Sequence, residues 1–535
     1  MKAIVLAFGS FAVGVLSQTF EPVDFNATEA LLNNGVNVSA LPVLASYSQR
    51  SLLSGCSSAC DSLRLIFGDD HVETQSESTY SAFINDYWSA QQKEIAPKCI
   101  FKPTKALDVS TSILISRLTQ CPFAAKSGGH SAVPGGSNIQ GGITISFEKL
   151  GRIALSSDKK VVSFQPGHTW GDIYSALEKD NVAIIGGRVA SVGVGGLTLG
   201  GGISYFSSVY GLACDNVESY ELVTASGIII TVSEKNYSDL YWALRGGGNN
   251  FGIVTQFNVA AIPRDPTMWG GMRAYLSTEF PALIQAYYNL GIDATKDGKA
   301  HQILSFGWGG SDIGQVAQVE LEYADPTANA SVLAEYNAIK GSIADQTAIR
   351  SLTELTRLLE GPASGAGLRQ SFWTFTVKLD KKLPESIKDI FFEELPAILD
   401  AEELLPAISF QVITLPILEQ MATRGGNTLG LSTEDGPLTN ILIAIKWKQS
   451  GDDERINKFA ATVKDRAMAL ASAQGKASPY LYMNYASPWQ DVFAGYGAAN
   501  VARLKFISKK YDPTGVFEKL QPGYFKLGGA PRDQL

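Results

Sequence analysis

Residues that bind metals or nucleic acids are scarce in this sequence. Only 4 of the 535 residues are histidine and 5 are cysteine, and no second Cys or His pair follows Cys56 and Cys60. A zinc site would need such a pair. Lysine and arginine (44) are outnumbered by aspartate and glutamate (52), and no basic run with interleaved aromatic residues occurs. The sequence therefore indicates neither a metal site nor a nucleic-acid surface.

The usual nucleotide-binding motifs are also missing. No G-x-x-x-x-G-K-[S/T] loop occurs, which excludes a P-loop nucleoside triphosphatase. The glycine clusters at Gly193, Gly246 and Gly307 each break the G-x-G-x-x-G spacing of a Rossmann site. A nucleotide cofactor would have to be held by a different type of loop.

The N-terminus is typical of a secretory signal peptide over residues 1–17. One charge at Lys2 precedes an apolar run over residues 3–16, which is too short to span a bilayer comfortably, and small Ser17 follows. No second apolar run is long enough to cross a membrane, so we expect no membrane partner. Secretion would allow N-glycans at the four Asn-X-Ser/Thr triplets, which begin at Asn26, Asn37, Asn236 and Asn329.

The cysteine distribution fits an oxidising compartment. Four cysteines lie in the first quarter of the chain, and we expect them to form one or two disulfides whose pairing the spacing does not decide. The fifth, Cys214, is then left unpaired. These four residues are Cys56, Cys60, Cys99 and Cys121.

Length and a hydrophobic content of 45% predict two folded domains after a lead-in over residues 18–94. Over residues 95–265, short β-rich runs such as 142–147 alternate with helices such as 170–179. Over residues 266–475, longer strands alternate with amphipathic helices, which indicates a largely antiparallel sheet flanked by helices. In the predicted strand 372–379, one polar face could line a pocket or face solvent. The fold class is therefore α+β.

Two glycine clusters are the most informative motifs, one at residues 126–131 and the other at residues 192–204. Because glycine has no Cβ, two such loops can approach a diphosphate closely from either side. His130 lies in the first cluster, where it could be a polar contact, a catalytic base or the covalent attachment point of a cofactor. The other three histidines, His71, His168 and His301, have weaker context, with His168 expected to be a structural contact.

Several segments, in order, resemble the PCMH-type FAD-binding domain of the vanillyl-alcohol-oxidase superfamily, and specifically the berberine-bridge-enzyme-like FAD-linked oxidases. The resemblance runs from about Pro97 to the C-terminus. It implies a two-part flavin domain, residues 95–265 and 476–535, with a substrate domain at residues 266–475 between the two parts. The segments are 122–131, 165–172, 192–217, 242–252, 482–485 and 511–517.

The resemblance also implies the cofactor site. FAD is expected to be bonded covalently through His130 alone, because Val189 stands where some family members carry a second attachment cysteine. Val192 either controls the access of oxygen to the flavin or is simply a packed β-branched residue. The expected cofactor contacts are Ser127, Gly128, Gly129, His130, Ser131, Val192, Gly193, Gly195, Gly196, Gly200, Gly201, Gly202 and Asn484.

Oxidation of an alcohol at carbon also needs a base that removes the hydroxyl proton. The resemblance assigns this role to Tyr485, with Tyr482 assisting from the same extended run. A phenol with an ordinary pKa near ~10 needs a cation, a second phenol or the flavin dipole beside it to act as phenolate. An ordinary core tyrosine is the alternative, since the chain has 20 tyrosines. Gln411 and Lys378 of the substrate domain are either polar groups of the pocket or satisfied surface or buried polar groups.

These features together predict a secreted FAD-dependent oxidase. A hydride would pass from a hydroxyl- or amine-bearing small molecule to FAD, with molecular oxygen as the acceptor. Family members with fungal-style sequences often act in secondary-metabolite pathways, and others oxidise sugars. An apolar pocket would favour the first class, and a polar groove with stacked aromatic residues the second. A flavin-carrying glycoprotein with little turnover and a non-redox isomerase are the alternatives.

Overall fold

The computed structural model describes residues 19–22, 24–45, 47, 55–363 and 367–532. The predicted signal peptide, residues 1–17, lies outside this part of the chain. The fold is α+β, which confirms the expected class. None of the helices in the described residues combines the length and the apolarity that a membrane crossing requires.

The helices of the described residues are α1 (Ala27–Asn33), α2 (Pro42–Ala45), α3 (Cys56–Phe67), α4 (Ser78–Asn85), α5 (Ala90–Lys93), α6 (Ala106–Thr119), α7 (Trp170–Glu178), α8 (Val194–Leu199), α9 (Ser207–Tyr210), α10 (Ser238–Leu244), α11 (Phe280–Asp293), α12 (Ala334–Ala338), α13 (Leu352–Ala363), α14 (Leu383–Glu394), α15 (Leu415–Met421), α16 (Asp453–Ala473), α17 (Ala498–Tyr511) and α18 (Val516–Lys519). The strands are β1 (Val72–Thr74), β2 (Cys99–Phe101), β3 (Phe123–Lys126), β4 (Ile143–Ser146), β5 (Ile153–Leu155), β6 (Val161–Phe164), β7 (Val182–Ala183), β8 (Val217–Val223), β9 (Ile229–Ser233), β10 (Ile253–Ala260), β11 (Ile262–Pro263), β12 (Thr267–Leu276), β13 (Ala300–Trp308), β14 (Gln315–Tyr323), β15 (Ser342–Asp345), β16 (Ala348–Ser351), β17 (Arg369–Lys378), β18 (Leu405–Ile413), β19 (Leu438–Trp447) and β20 (Ala477–Ser478).

Two small sheets form most of the first domain. The first has the strand order β1-β2-β4-β3, antiparallel between β1 and β2 and parallel elsewhere. The second is antiparallel, with the order β5-β6-β10-β8-β9. Because β1 comes from the predicted lead-in, this segment is an edge of the first sheet and not a separate appendage.

Two disulfides attach the lead-in to the first domain, Cys56–Cys121 and Cys60–Cys99. Helix α3 places Cys56 and Cys60 four residues apart, so their side chains lie on one face of the helix. Cys214 is buried and has a free thiol, as expected from the sequence.

A large antiparallel sheet forms the second domain. Its order in the described residues is β15-β12-β14-β13-β18-β19-β17-β20, and β16 also pairs with β12. Alternate residues of β17, among them Trp373 and Phe375, are buried in one core with Ile456 and Phe459 of α16. Helix α16 therefore covers one face of the sheet, and the other face is turned towards the first domain.

Two of the polar residues on this other face of β17, Thr374 and Thr376, neither line the cavity described below nor face solvent. Thr374 and Thr376 are fully buried. The side chain of Gln490 bonds to both backbone groups of Thr374, because the segment after β20 packs over this face. Lys378 is exposed and does not line the cavity described below, so it is not a pocket residue.

After β20 the chain returns to the first domain. Tyr480, Tyr482, Phe493, Tyr496 and Phe525 are all buried in the core of that domain. The large sheet thus extends from Thr267 to Ser478 in the sequence. The returning segment places the turn Met483–Tyr485 between the second glycine cluster and the open face of the large sheet.

Candidate active site

A cavity of about 740 Å³ lies between the first domain and the open face of the large sheet. This volume is typical of small-molecule sites, which measure about 300–1,000 Å³. The cavity brings together most of the residues that the sequence predicted, although they are separated by up to several hundred positions. The predicted residues that line it are Ser127, Gly128, Gly129, His130, Ser131, Val192, Gly193, Gly195, Gly196, Tyr482, Asn484, Tyr485 and Gln411.

The two glycine clusters contact each other directly. A Cβ at Gly128 would lie 2.5 Å from the backbone nitrogen of Gly193, and a Cβ at Gly193 would lie 2.2 Å from that of Gly128. Ser127 joins the same loops, because its Oγ donates to the Pro166 carbonyl at 2.6 Å and accepts from Gly195 N–H at 3.1 Å. At these positions glycine is thus required for contact between the loops, a role that the sequence did not suggest.

Gly200, Gly201 and Gly202 do not line the cavity. A Cβ at Gly200 would lie 2.1 Å from Oδ1 of Asn484, so this glycine makes room for the asparagine side chain. Gly201 and Gly202 have φ values of 113° and 88°, which favour glycine. These three residues shape the loop behind the cavity wall. His168 is also outside the wall, with its Nδ1 3.8 Å from Asp172.

The hydroxyl group of Tyr482 is hydrogen-bonded to other groups of the protein. The oxygen accepts hydrogen bonds from the backbone N–H groups of Gly202 (3.2 Å) and Ile203 (3.1 Å) and from Nδ2 of Asn484 (3.0 Å). Burial raises the pKa of Tyr482 to about 12. Residues 483–485 form a 3₁₀ turn and not the extended run expected from the sequence. A 3₁₀ turn places residues i and i+3 next to each other. The rings of Tyr482 and Tyr485 accordingly pack edge to face, with centroids 4.8 Å apart.

Tyr485 presents its hydroxyl group to a buried cation. Arg188 Nη2 donates to the phenol oxygen at 2.6 Å. The same oxygen lies 3.3 Å from both the amide nitrogen and the amide oxygen of Gln411. Because a guanidinium is positively charged and has donors only, the phenol oxygen is the acceptor of this hydrogen bond and lies beside a positive charge. The sequence left open whether a cation, a second phenol or the flavin dipole would assist Tyr485, and the structure places the cation Arg188 beside it.

Arg188 also contacts His301 of the large sheet, and His301 in turn contacts Glu322. Nη1 of Arg188 lies 3.1 Å from Nε2 of His301, and Nδ1 of His301 lies 2.7 Å from Oε2 of Glu322. Sequence reasoning missed all three residues, because the partners are 113 and 21 positions apart. One signal was available: a single arginine in the glycine-rich stretch 186–196.

His130 lies against the aromatic ring of Trp88. The two rings are stacked, with centroids 4.1 Å apart and planes 15° apart. The backbone N–H of Trp88 also donates to the backbone carbonyl of Gly129 at 3.4 Å, and Ser89 Oγ donates to the backbone carbonyl of Ser131 at 3.0 Å. Burial, with a further contribution from the charge of Lys446, lowers the pKa of His130 to about 4. The imidazole is therefore neutral near pH 7, and the lead-in segment holds it in place.

The part of the cavity formed by the large sheet is mostly apolar. Its apolar residues are Ile303, Trp308, Val316, Phe372, Leu405, Pro406, Ala407, Leu442 and Ala444. Its polar residues are Ser305, Gln318, Glu320, Ser409, Gln411 and Lys446. Burial raises the pKa of Glu320 to about 7 and lowers that of Lys446 to about 8. A small organic molecule with few polar groups would fit this wall best.

Comparisons with known proteins identify the family of this chain. A family model described as an FAD binding domain matches residues 97–233. The FAD-dependent monooxygenase FUP4 of Fusarium proliferatum is 36% identical over 509 residues, which cover 91% of this chain and 97% of that protein. The FAD-dependent monooxygenase tpcD of Cochliobolus heterostrophus is 34% identical over 498 residues, with 88% and 94% covered.

Two solved structures share the fold. The 6-hydroxy-D-nicotine oxidase of Arthrobacter nicotinovorans aligns with a TM-score of 0.69 at 20% identity, covering 83% of this chain and 96% of that one. Berberine bridge enzyme of Eschscholzia californica aligns with a TM-score of 0.69 at 17% identity, covering 86% and 97%. This chain belongs to the FAD-dependent oxidoreductase family of the monooxygenases FUP4 and tpcD, and it shares the fold of berberine bridge enzyme. The expected family and enzyme class are confirmed.

The residues of this FAD-linked oxidoreductase fit the cofactor. Nε2 of His130 and Oε1 of Gln521 are buried at the cavity wall without a hydrogen-bond partner in the described part of the chain. Gly196 faces open space, since a Cβ there would meet nothing within 4 Å. Residues 127–131 and 192–196 would hold the FAD, together with Asn484 and Gln521.

Two glycine substitutions distinguish a glycine needed for contact between the loops, Gly193, from a glycine that faces the cofactor site, Gly196. Gly193→Ala should lower the free energy of unfolding by about 3 kcal/mol, because its Cβ overlaps the backbone of Gly128. Gly196→Ala should leave the melting temperature of the flavin-free protein unchanged or slightly higher, because this helical position is open. Thermal melts and flavin-to-protein ratios check both variants. Equal destabilisation by the two would contradict this assignment.

Proposed function

We propose that this FAD-linked oxidoreductase oxidises an apolar alcohol or amine at carbon, with molecular oxygen as the final acceptor. The observation that carries the proposal is the 2.6 Å contact between Arg188 and the phenol oxygen of Tyr485 in the cavity. Bound FAD would supply the two-electron acceptor for the hydride lost from carbon. Tyr485, held by Arg188 and Gln411, takes the proton of the substrate hydroxyl or amine group.

The cavity wall supports a secondary metabolite as substrate and not an oligosaccharide. Apolar residues outnumber the six polar residues on the large-sheet side. A sugar would leave most of its hydroxyl groups without partners on such a wall, which costs binding free energy. Among fold neighbours, a xylooligosaccharide oxidase from Myceliophthora thermophila has a TM-score of 0.66, but at 20% identity this likeness concerns the fold alone.

Oxygen insertion into the substrate is the second candidate reaction. It is favoured by the names of the relatives at 36% and 34% identity, both FAD-dependent monooxygenases. The two reactions differ in the fate of oxygen. An oxidase releases hydrogen peroxide in a 1:1 ratio to oxidised substrate, whereas a monooxygenase leaves one atom of ¹⁸O₂ in the product.

Replacing the proposed base tests the function. In Tyr485→Phe, anaerobic bleaching of the flavin by a substrate, selected from a panel of apolar alcohols and amines, should slow by about 10²- to 10⁴-fold. The flavin content should not change. Tyr210→Phe is the matched control, because Tyr210 is 39% exposed and outside the cavity. Bleaching at the wild-type rate in Tyr485→Phe, or none by any panel member in the wild type, would contradict the proposal.

We further propose that His130 carries a single covalent bond to the FAD. Its buried, neutral imidazole supports this role, since a neutral ring nitrogen is nucleophilic. Val189 lines the cavity, and none of the described residues around the cavity is a cysteine that could form a second bond.

Acid precipitation tests the covalent bond. The wild-type pellet should keep its yellow colour, and the His130→Ala protein should release its flavin into the supernatant. Absorption spectra of the two fractions and the mass of the peptide that contains His130 are the measurements. Complete release of flavin from the wild-type protein would exclude covalent attachment, although it would leave the redox function intact.

Secretion remains a proposal that the fold supports indirectly. The side chains of Asn26, Asn37, Asn236 and Asn329 are exposed, as glycan acceptors must be. The two disulfides fit an oxidising compartment. Protein from the culture medium should begin near residue 18 and lose mass on treatment with an endoglycosidase. An intact Met1 and an unchanged mass would argue against this localisation.

A further inference from the structure

We propose that His301 and Glu322 are positioning residues, which hold the guanidinium of Arg188 against the phenol oxygen of Tyr485. This inference rests on the proposed function, because it assumes that Tyr485 is the base. Both residues belong to the substrate domain, whereas Arg188 belongs to the flavin domain and Tyr485 to the returning C-terminal segment. The proton acceptor would thus be tuned by a domain that contributes neither the base nor its cation.

The direction of every hydrogen bond in this chain of residues follows from Arg188. Arginine has five N–H donors and no acceptor, so Nε2 of His301 must accept the hydrogen bond from Nη1 at 3.1 Å. The ring proton then lies on Nδ1, which donates to Oε2 of Glu322 at 2.7 Å. Burial, and next the charge of Arg188, lower the pKa of His301 well below its usual value. A neutral ring in one tautomer is the form that this arrangement requires.

The backbone makes the His301–Glu322 pair rigid. The two residues face each other in the register of β13 and β14, inside the large sheet. Glu322 has 0% of its surface exposed. Tyr205 restrains Arg188 and His301. Its hydroxyl group donates to the backbone carbonyl of Arg188 at 2.9 Å, and its ring packs edge to face on the ring of His301 with centroids 5.4 Å apart.

Arg188 keeps its charge in these surroundings. Burial opposes the charge, but the nearby Tyr485, Glu320, Tyr482 and Tyr205 together raise the pKa of Arg188 above its usual value. Glu322 is buried beside Glu320, and burial raises its pKa well above the usual value. Because a guanidinium cannot accept a proton, the chain from Glu322 to Tyr485 cannot relay protons. It can only fix where the positive charge lies.

Loss of the acceptor on His301 should therefore weaken the effect of Arg188 on Tyr485. One guanidinium N–H would lose its partner in a buried site, and the side chain would gain freedom to rotate away from the phenol. Negative charge on the Tyr485 oxygen would then form only at higher pH.

The test compares His301→Leu with His301→Gln, which keeps a side-chain acceptor, in the flavin-loaded protein. The first readout needs no substrate. The absorbance of tyrosinate is measured as a function of pH in each protein with and without the additional substitution Tyr485→Phe. The part of the absorbance change that this substitution removes belongs to Tyr485. The midpoint should rise by about one pH unit or more in His301→Leu and by less in His301→Gln. Glu322→Leu should act like His301→Leu, and Glu322→Gln should act weakly.

The second readout is the pH dependence of kcat/KM. In the two Leu variants, the acidic limb of this pH profile should move to higher pH by the same amount as the absorbance midpoint. The flavin content and the melting temperature of the Leu variants should stay within the range of the Gln variants. Unchanged midpoints in both Leu variants would overturn the positioning role. If Tyr485→Phe itself bleaches at the wild-type rate, the proposed base fails, while the absorbance titration still decides whether His301 and Glu322 position Arg188.

Discussion

A positive charge buried where three parts of the chain meet determines how this site is built. The Arg188 side chain lies in the first domain, 8% exposed, and contacts Tyr485 from the C-terminal segment and His301 from the large sheet. An isolated guanidinium would be costly to bury, so these polar partners are a condition of its position. All three parts supply groups that stabilise the charge, among them Tyr205, Glu320 and Tyr485. The domains are therefore coupled by electrostatics as well as by apolar packing.

The cofactor side of the cavity depends on the absence of side chains. Gly128 and Gly193 touch through their backbones, and Ser127 fastens the loops by one accepted and one donated hydrogen bond. Tyr482 holds the next stretch of backbone through Gly202 and Ile203. These contacts fix the wall in place, so that a bound flavin meets a surface that is already formed.

The lead-in has a larger role than its position suggests. It adds a strand to the first sheet, is bound by two disulfides, and carries the Trp88 ring that stacks on His130. All of it precedes the segment that matches the FAD binding domain, residues 97–233. On the opposite side of the cavity, the large sheet supplies a mostly apolar wall, where differences in side chains can alter the substrate without changing the flavin side.

The sequence by itself determined the family, the α+β class and the glycine-rich part of the cavity wall, because these follow from local glycine patterns, periodicity and motif order. It also indicated Tyr485 and the need for a cation, a second phenol or the flavin dipole beside it. Only the tertiary structure decided that Arg188 is the cation, that His301 contacts it and is itself bonded to Glu322, and that Gly200, Gly201 and Gly202 lie behind the wall. The physical reason is distance along the chain: Arg188 and Tyr485 are 297 positions apart, and no local pattern specifies a contact that forms only when two domains pack together.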